Sequence, residues 1–187
     1  MKQGSKVVCL GDSITWGFPF GPSYSWVHML AEATGIEFIN RGINGNTTSD
    51  MLHRFERDVL NSGPDLVIIS GCINDILCGE SFDRITWNIK AMVEKAREAS
   101  LTVVLGMPTA VDSPYLEKLL VRLRQWFKDF SRELGIPLID FYQAFFSPEG
   151  ELRQDLLLAD GAHPSEKGYQ EMFRQIDLNI FSALISP

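Results

Sequence analysis

The chain predicts an α/β fold: a single domain in three layers, α/β/α, around a parallel sheet of about five strands in the flavodoxin-like order 2-1-3-4-5. Three observations lead there. Short apolar runs alternate with longer segments of helical period from end to end. The runs are rich in Val, Ile and Leu without polar alternation, as strands covered on both faces are. The segments that follow them are small, polar or glycine-containing, and an open parallel sheet gathers those carboxyl ends along one edge.

The strand runs are residues 6–10, 37–40, 66–70, 102–106 and 136–140. Between the second and third, Thr47 and Asp50 form a capping pair for a helix that ends before Gly63-Pro64. Phe82, Ile85, Ile89, Met92, Val93 and Ala96 then fall on one helix face. A second long stripe carries Leu116, Leu120, Leu123, Phe127, Phe130 and Leu134. Ser113 caps it, Pro114 takes its first position and Gly135 stops it. Residues 141–164 are the longest connection without period, and long connections are often functional. Ser165 opens a last helix carrying Met172, Phe173, Ile176 and Ile180. With no tandem repeat, low-complexity tract or linker, the 187 residues read as one domain, 1–187.

Composition narrows the partners. Seventeen Lys and Arg against 24 Asp and Glu leave a formal net charge of −7, which disfavours nucleic acid and anionic membrane surfaces. Three cysteines are an odd and sparse set, which suits a reducing compartment better than a disulfide framework. No apolar stretch approaches the roughly 20 residues that span a bilayer. The apolar run after Lys2 and Lys6 is too short for a secretory segment. The expectation is a cytoplasmic protein without membrane insertion; oligomeric state is not legible.

Reactive side chains collect at the strand ends. Ser13, after the first strand, sits at a strand-to-helix turn where a hydroxyl can act as nucleophile once a base takes its proton. It can also be a turn residue, and Thr15 excludes the Gly-x-Ser-x-Gly elbow. Among the three histidines, His28 and His53 lie inside amphipathic helices. His163 lies in a Gly/Pro-bounded loop with Asp160 three residues before it. One turn brings that carboxylate to one ring nitrogen and leaves the other for Ser13, the orientation a Ser-His-Asp triad needs. Asp-x-x-His also occurs as a capping or metal-binding turn. Acyl transfer needs oxyanion donors as well, and the backbone N–H groups of Ser13 and Gly45 and the side-chain amide of Asn74 are candidates.

These residues together resemble the SGNH (GDSL-type) hydrolases, a family of esterases and lipases, over essentially the whole chain. Gly11-Asp12-Ser13 is similar to the family's first block, residues 40–47 to its second, Asn74-Asp75 to its third, and Asp160-Gly161-Ala162-His163-Pro164 to its fifth. The resemblance implies Ser13 as nucleophile, His163 as base, Asp160 as its orienting acid, and Ser13, Gly45 and Asn74 as oxyanion donors, without metal or cofactor. One departure is visible: Cys72 stands where the third block has glycine. A cysteine at a strand end reads as a small buried hydrophobe rather than as a nucleophile for His163. Asp12 and Asp75 read as acceptors for nearby backbone N–H groups.

The function expected is a serine esterase acting on a small-molecule ester through an acyl-Ser13 intermediate, with short acyl groups favoured. Two other classes remain open at this point. A flavodoxin-like protein that only binds a nucleotide or phosphate has no glycine-rich phosphate motif to support it. A metal-dependent phosphoesterase would use Asp12, Asp75, Asp160 and His163 around a divalent ion. Trp16, Phe18 and Phe20 are the expected substrate-binding wall, with residues 109–115 and 155–158 opposite; Trp26 reads as core.

Overall fold

The computed structural model describes residues 5–185; Lys2, which entered the reading of the N-terminus, lies outside them. Five parallel strands form one sheet in the order β2-β1-β3-β4-β5: β1 Lys6–Gly11, β2 Glu37–Gly42, β3 Leu66–Ser70, β4 Thr102–Gly106 and β5 Leu138–Ile139. Cys9 pairs with Asn40 on one side and Ile68 on the other, so β1 lies inside the sheet. Val7, Val8, Cys9 and Leu10 in β1 and Val67, Ile68 and Ile69 in β3 are completely buried. Each such aliphatic side chain contributes about 1.5–3 kcal/mol relative to exposure.

The helices among the described residues are α1 Ser13–Trp16, α2 Trp26–Thr34, α3 Thr48–His53, α4 Phe55–Asp58, α5 Ile73–Leu77, α6 Phe82–Glu98, α7 Pro114–Leu134, α8 Glu166–Arg174 and α9 Ser182–Ile185. The step from β1 to β2 runs opposite to the steps from β2 to β3, β4 and β5. Right-handed crossovers therefore put α2 on one face and α3, α6 and α7 on the other. In agreement, α2 packs against α8 and α3 against α6. The caps form as the sequence predicts. Thr47 and Asp50 make a reciprocal capping box, and Ser113, Pro114 and Gly135 bound α7.

Three local expectations change. The helix opened by Thr47 is broken at Arg54, whose backbone (φ −97°, ψ 5°) separates α3 from α4, and a 3₁₀ turn, Leu60–Ser62, completes the segment. The Arg54 side chain turns inward at the break. β5 covers two residues instead of 136–140: Pro137 donates no N–H, and Asp140 caps a 3₁₀ turn, Phe141–Phe145, by accepting from Gln143. The last helix stops at Arg174, so Ile176 and Ile180 lie beyond it. Asp177 accepts from Asn179 and starts a separate 3₁₀ turn, Leu178–Phe181, a side-chain-to-backbone bond that competes with helix. The long connection is pinned by Phe141, Phe145 and Leu156, all fully buried.

Candidate active site

Ser13 is the first residue of α1, directly after β1. Asp12 caps that helix by accepting from the Ile14 N–H at 2.9 Å. The turn leaves the Ser13 Oγ 2.9 Å from His163 Nε2, although the rest of Ser13 is almost fully buried. On the other side of the ring, His163 Nδ1 lies 2.7 Å from Asp160 Oδ2. With the ring proton on Nδ1, that nitrogen donates to Asp160 and Nε2 accepts the Ser13 O–H.

Asp160 is itself held. Its Oδ1 accepts from the N–H groups of Ala162 and His163, each at 2.9 Å. Partial burial raises its carboxyl; these N–H groups and the imidazole outweigh that and keep it below the usual carboxylate range. The His163–Asp160 pair lies near the surface, with the His163 side chain 27% exposed and Asp160 45%.

The second loop reaches the site through tight backbone packing. A Cβ on Gly42 would lie 2.2 Å from the Trp16 nitrogen, so only glycine lets β2 close on α1 there. Gly45 has φ +78° and is exposed at the loop tip. The third loop is tied to the second: Asn74 Nδ2 donates to the Asn46 carbonyl oxygen at 2.9 Å. A side-chain amide has two N–H donors, so this bond orients Asn74 and leaves the second hydrogen available.

Asp75 accepts from its own backbone N–H, as a local acceptor does, and also reaches α3, accepting from the Thr48 N–H at 3.0 Å and from the Thr48 hydroxyl at 2.5 Å. Burial pushes both Asp12 and Asp75 up to about 6, against the lowering effect of these bonds. Cys72 is fully buried at φ +92°, a left-handed conformation that L side chains rarely adopt. Burial raises its thiol well above the ordinary range.

Among the expected wall residues, Phe18 stands against the site, its ring 4.6 Å from the His163 ring. Phe20 packs on Tyr24 and the core, and Trp16 is half-buried at the end of α1. Trp26 is core, its ring packed at a tilt of 48° against Phe141. Residues 109–115 divide. Val111, Asp112, Ser113 and Pro114 line one hollow of about 330 Å³ with Tyr142 and Phe146, and Tyr115 lines another of similar size with Ile76, Phe82 and Leu119. His28 and His53 are exposed and distant in role, His28 facing Glu32.

Sequence reasoning missed Arg54, Thr48 and Asn88, whose amide donates to the Thr48 hydroxyl at 2.9 Å. A signal for Arg54 existed. Met51, Arg54, Phe55 and Asp58 fall at i, i+3, i+4 and i+7, so an Arg and an Asp share an apolar stripe, and all four are buried. Asp58 is lowered to about 2, first by its bond from Arg57 and then by Arg54.

Comparison with known proteins gives the family and agrees with the fold. Residues 9–171 match the GDSL-like Lipase/Acylhydrolase family. A solved lipolytic protein of the G-D-S-L family from Desulfitobacterium hafniense superposes with a TM-score of 0.85 at 30% identity, covering 92% of this chain and 97% of that one. An arylesterase from Vibrio mimicus is 27% identical over 168 residues, 87% of this chain and 82% of that protein. An acetylxylan esterase from Geobacillus stearothermophilus is 25% identical over 202 residues, 92% of each.

Proposed function

The chain belongs to the GDSL-like lipase/acylhydrolase family, and on that premise we propose that this serine esterase cleaves its ester through an acyl-Ser13 intermediate. The observation that carries the assignment is the unbroken line from Ser13 Oγ to His163 to Asp160, with spacings of 2.9 and 2.7 Å. His163 Nε2 takes the hydroxyl proton as Ser13 Oγ attacks the ester carbonyl. The same nitrogen then returns that proton to the leaving alkoxide. Asp160 holds the Nδ1–H tautomer and stabilises the imidazolium. In the second half-reaction His163 deprotonates water, which attacks the acyl carbon and releases the acid and Ser13.

Charge develops on the carbonyl oxygen only in the tetrahedral state. The Ser13 and Gly45 N–H groups and the free hydrogen of Asn74 are the proposed donors for it. Phe18 forms one side of the entrance, and Trp16 and Phe20 extend it. Short acyl groups are the proposed preference, supported by an acid–base pair open to solvent and a loop tip, Gly45, that stands exposed. Aryl and acetyl-sugar esters are the leading substrate classes, because an arylesterase and an acetylxylan esterase are among the relatives. Three unpaired thiols, Cys9, Cys72 and Cys78, support the proposal of a reducing, cytoplasmic setting. No helix among the described residues is long and apolar enough to cross a membrane.

The test is a panel of acetyl to palmitoyl esters of phenols and sugars with a Ser13→Ala control. Ser13→Ala should lose at least about 10³-fold in kcat with its fold intact. An organophosphonate should label wild type at Ser13 alone. Near-native turnover by a folded Ser13→Ala protein rejects the mechanism, and palmitoyl esters cleaved faster than butyryl ones reject the short-chain preference.

A further inference from the structure

We infer that Arg54 is a positioning residue for ester hydrolysis, setting the oxyanion-binding side of the site by holding Asn46 and, through it, Asn74. This rests on the proposed oxyanion role of Asn74.

Arg54 is only 6% exposed and lies at the break between α3 and α4. Its guanidinium makes four bonds in different directions. Nε donates to Asn46 Oδ1 at 2.8 Å and Nη2 to the Gly11 carbonyl at 2.7 Å. Nη1 donates to the Arg41 carbonyl at 2.9 Å and to Asp58 Oδ2 at 2.8 Å. Asp58 supplies the counter-charge that a buried guanidinium requires. The other three partners belong to the catalytic loops. Gly11 ends β1 just before Asp12-Ser13, Arg41 is the next-to-last residue of β2, and Asn46 follows Gly45.

Asn46 is the link. Its side chain is fixed by Arg54 while its main-chain oxygen accepts Asn74 Nδ2 at 2.9 Å. The direction of the second Asn74 hydrogen therefore depends on where Arg54 holds Asn46. Lysine cannot replace this geometry, because an ammonium is a point charge without the rigid planar fork of donors. Nothing in the arrangement brings Arg54 to the reacting atoms, so its effect has to pass through the loops it ties.

A positioning role predicts lost kcat with little change in KM, because the oxyanion exists only in the transition state. Arg54 variants alone are ambiguous, since removing a buried charge can unfold the protein. Asn46→Ala is the cleaner probe: it cuts the Arg54 link yet keeps the main-chain oxygen that holds Asn74. It should lower kcat roughly 10-fold, the scale of a sub-ångström misplacement, with KM within about two-fold. Asn46→Asp keeps an acceptor for Arg54 and should restore most of the rate. In an Asn74→Ala background, Asn46→Ala should cost less than about two-fold, because the group it positions is gone. Arg54→Lys, if folded, should lose more kcat than Asn46→Ala, since the Gly11 and Arg41 bonds go with it.

A crippled Asn74→Ala with a near-native Asn46→Ala overturns the inference and leaves the oxyanion reading intact. Equal losses from Asn46→Ala in both backgrounds, or a loss confined to KM, also overturn it. If Asn74→Ala turns over normally, the oxyanion reading itself fails, and the role of Arg54 fails with it.

Discussion

The Tyr169 hydroxyl donates to the Phe18 carbonyl oxygen at 2.8 Å, joining α8 to the loop after α1 across 151 residues of sequence. Phe18 in turn lies against the His163 ring. One bond thus docks the helix that follows His163 onto the loop that follows Ser13. Burial raises the Tyr169 phenol far above its usual range, so it stays a donor at every working pH. Tyr169→Phe leaves the Phe18 carbonyl without this donor, at a cost of about 1–2 kcal/mol. A scanning calorimeter should record a Tm lower by roughly 2–8 °C. An unchanged Tm would mean that the contact carries no load.

Asp160→Asn tests the acid. An amide can donate to Nδ1 and so stabilise the tautomer that leaves Nε2 protonated and unable to accept from Ser13. The expected fall in kcat is at least about 10²-fold, with solvent beside the half-exposed carboxylate moderating the loss. Turnover within two-fold of wild type would remove Asp160 from its role.

Asn74→Ala and Cys72→Gly probe the third loop from two sides. Loss of one preorganised oxyanion donor should cost about 10²–10³ in kcat with little change in KM. Cys72 stands at φ +92°, where a non-glycine residue costs of order 1–3 kcal/mol. Cys72→Gly relieves that strain while giving up a small buried side chain, so stability should hold or rise slightly and activity should persist. Cys72→Val, bulkier and β-branched, should melt several degrees lower. A Cys72→Ser protein without activity, beside a normal Asn74→Ala, would exchange the assigned roles.

Stability should fall as pH rises through the window from about 4 to 6. Asp12 and Asp75, raised from 3.8 to about 6, keep protons in the folded protein that the unfolded chain has already released. The native state then binds more protons than the unfolded one, and raising the pH favours unfolding. Each site acting alone is worth about 2–3 kcal/mol across the window. Asp12→Asn keeps the oxygen that caps α1 and should flatten the profile. Urea midpoints at pH 4.5, 5.5, 6.5 and 7.5 measure it. A midpoint that climbs over this range would contradict the raised carboxyls.

Much of the fold was legible because its cues are local. Ser113, Pro114 and Gly135 bound α7 through backbone chemistry that a few neighbours settle, and the short, β-branched apolar runs of β1 and β3, bounded by turn residues, read as interior strands. Elements failed where side chains compete with the backbone: Asp177 ended a helix whose apolar period continued, and Pro137 with Asp140 trimmed β5. At the site, residue types at strand ends marked Ser13, Asn74, Asp160 and His163. The Arg54–Asp58 pair left an i, i+4 spacing to read, but the other acceptors of Arg54 and Thr48, namely Gly11, Arg41, Asn46 and Asp75, are fixed by tertiary packing and leave none.

The 150 residues between Ser13 and His163 also have a meaning in time. At roughly 5–20 residues per second of synthesis, about 8–30 s separate the appearance of Ser13, the proposed nucleophile, from that of His163, its proposed base. Until then Ser13 is an ordinary alcohol, and a nascent chain arrested at residue 150 should ignore an organophosphonate that labels the finished protein. The reactivity of the serine is thus withheld during translation by the order in which the chain is written.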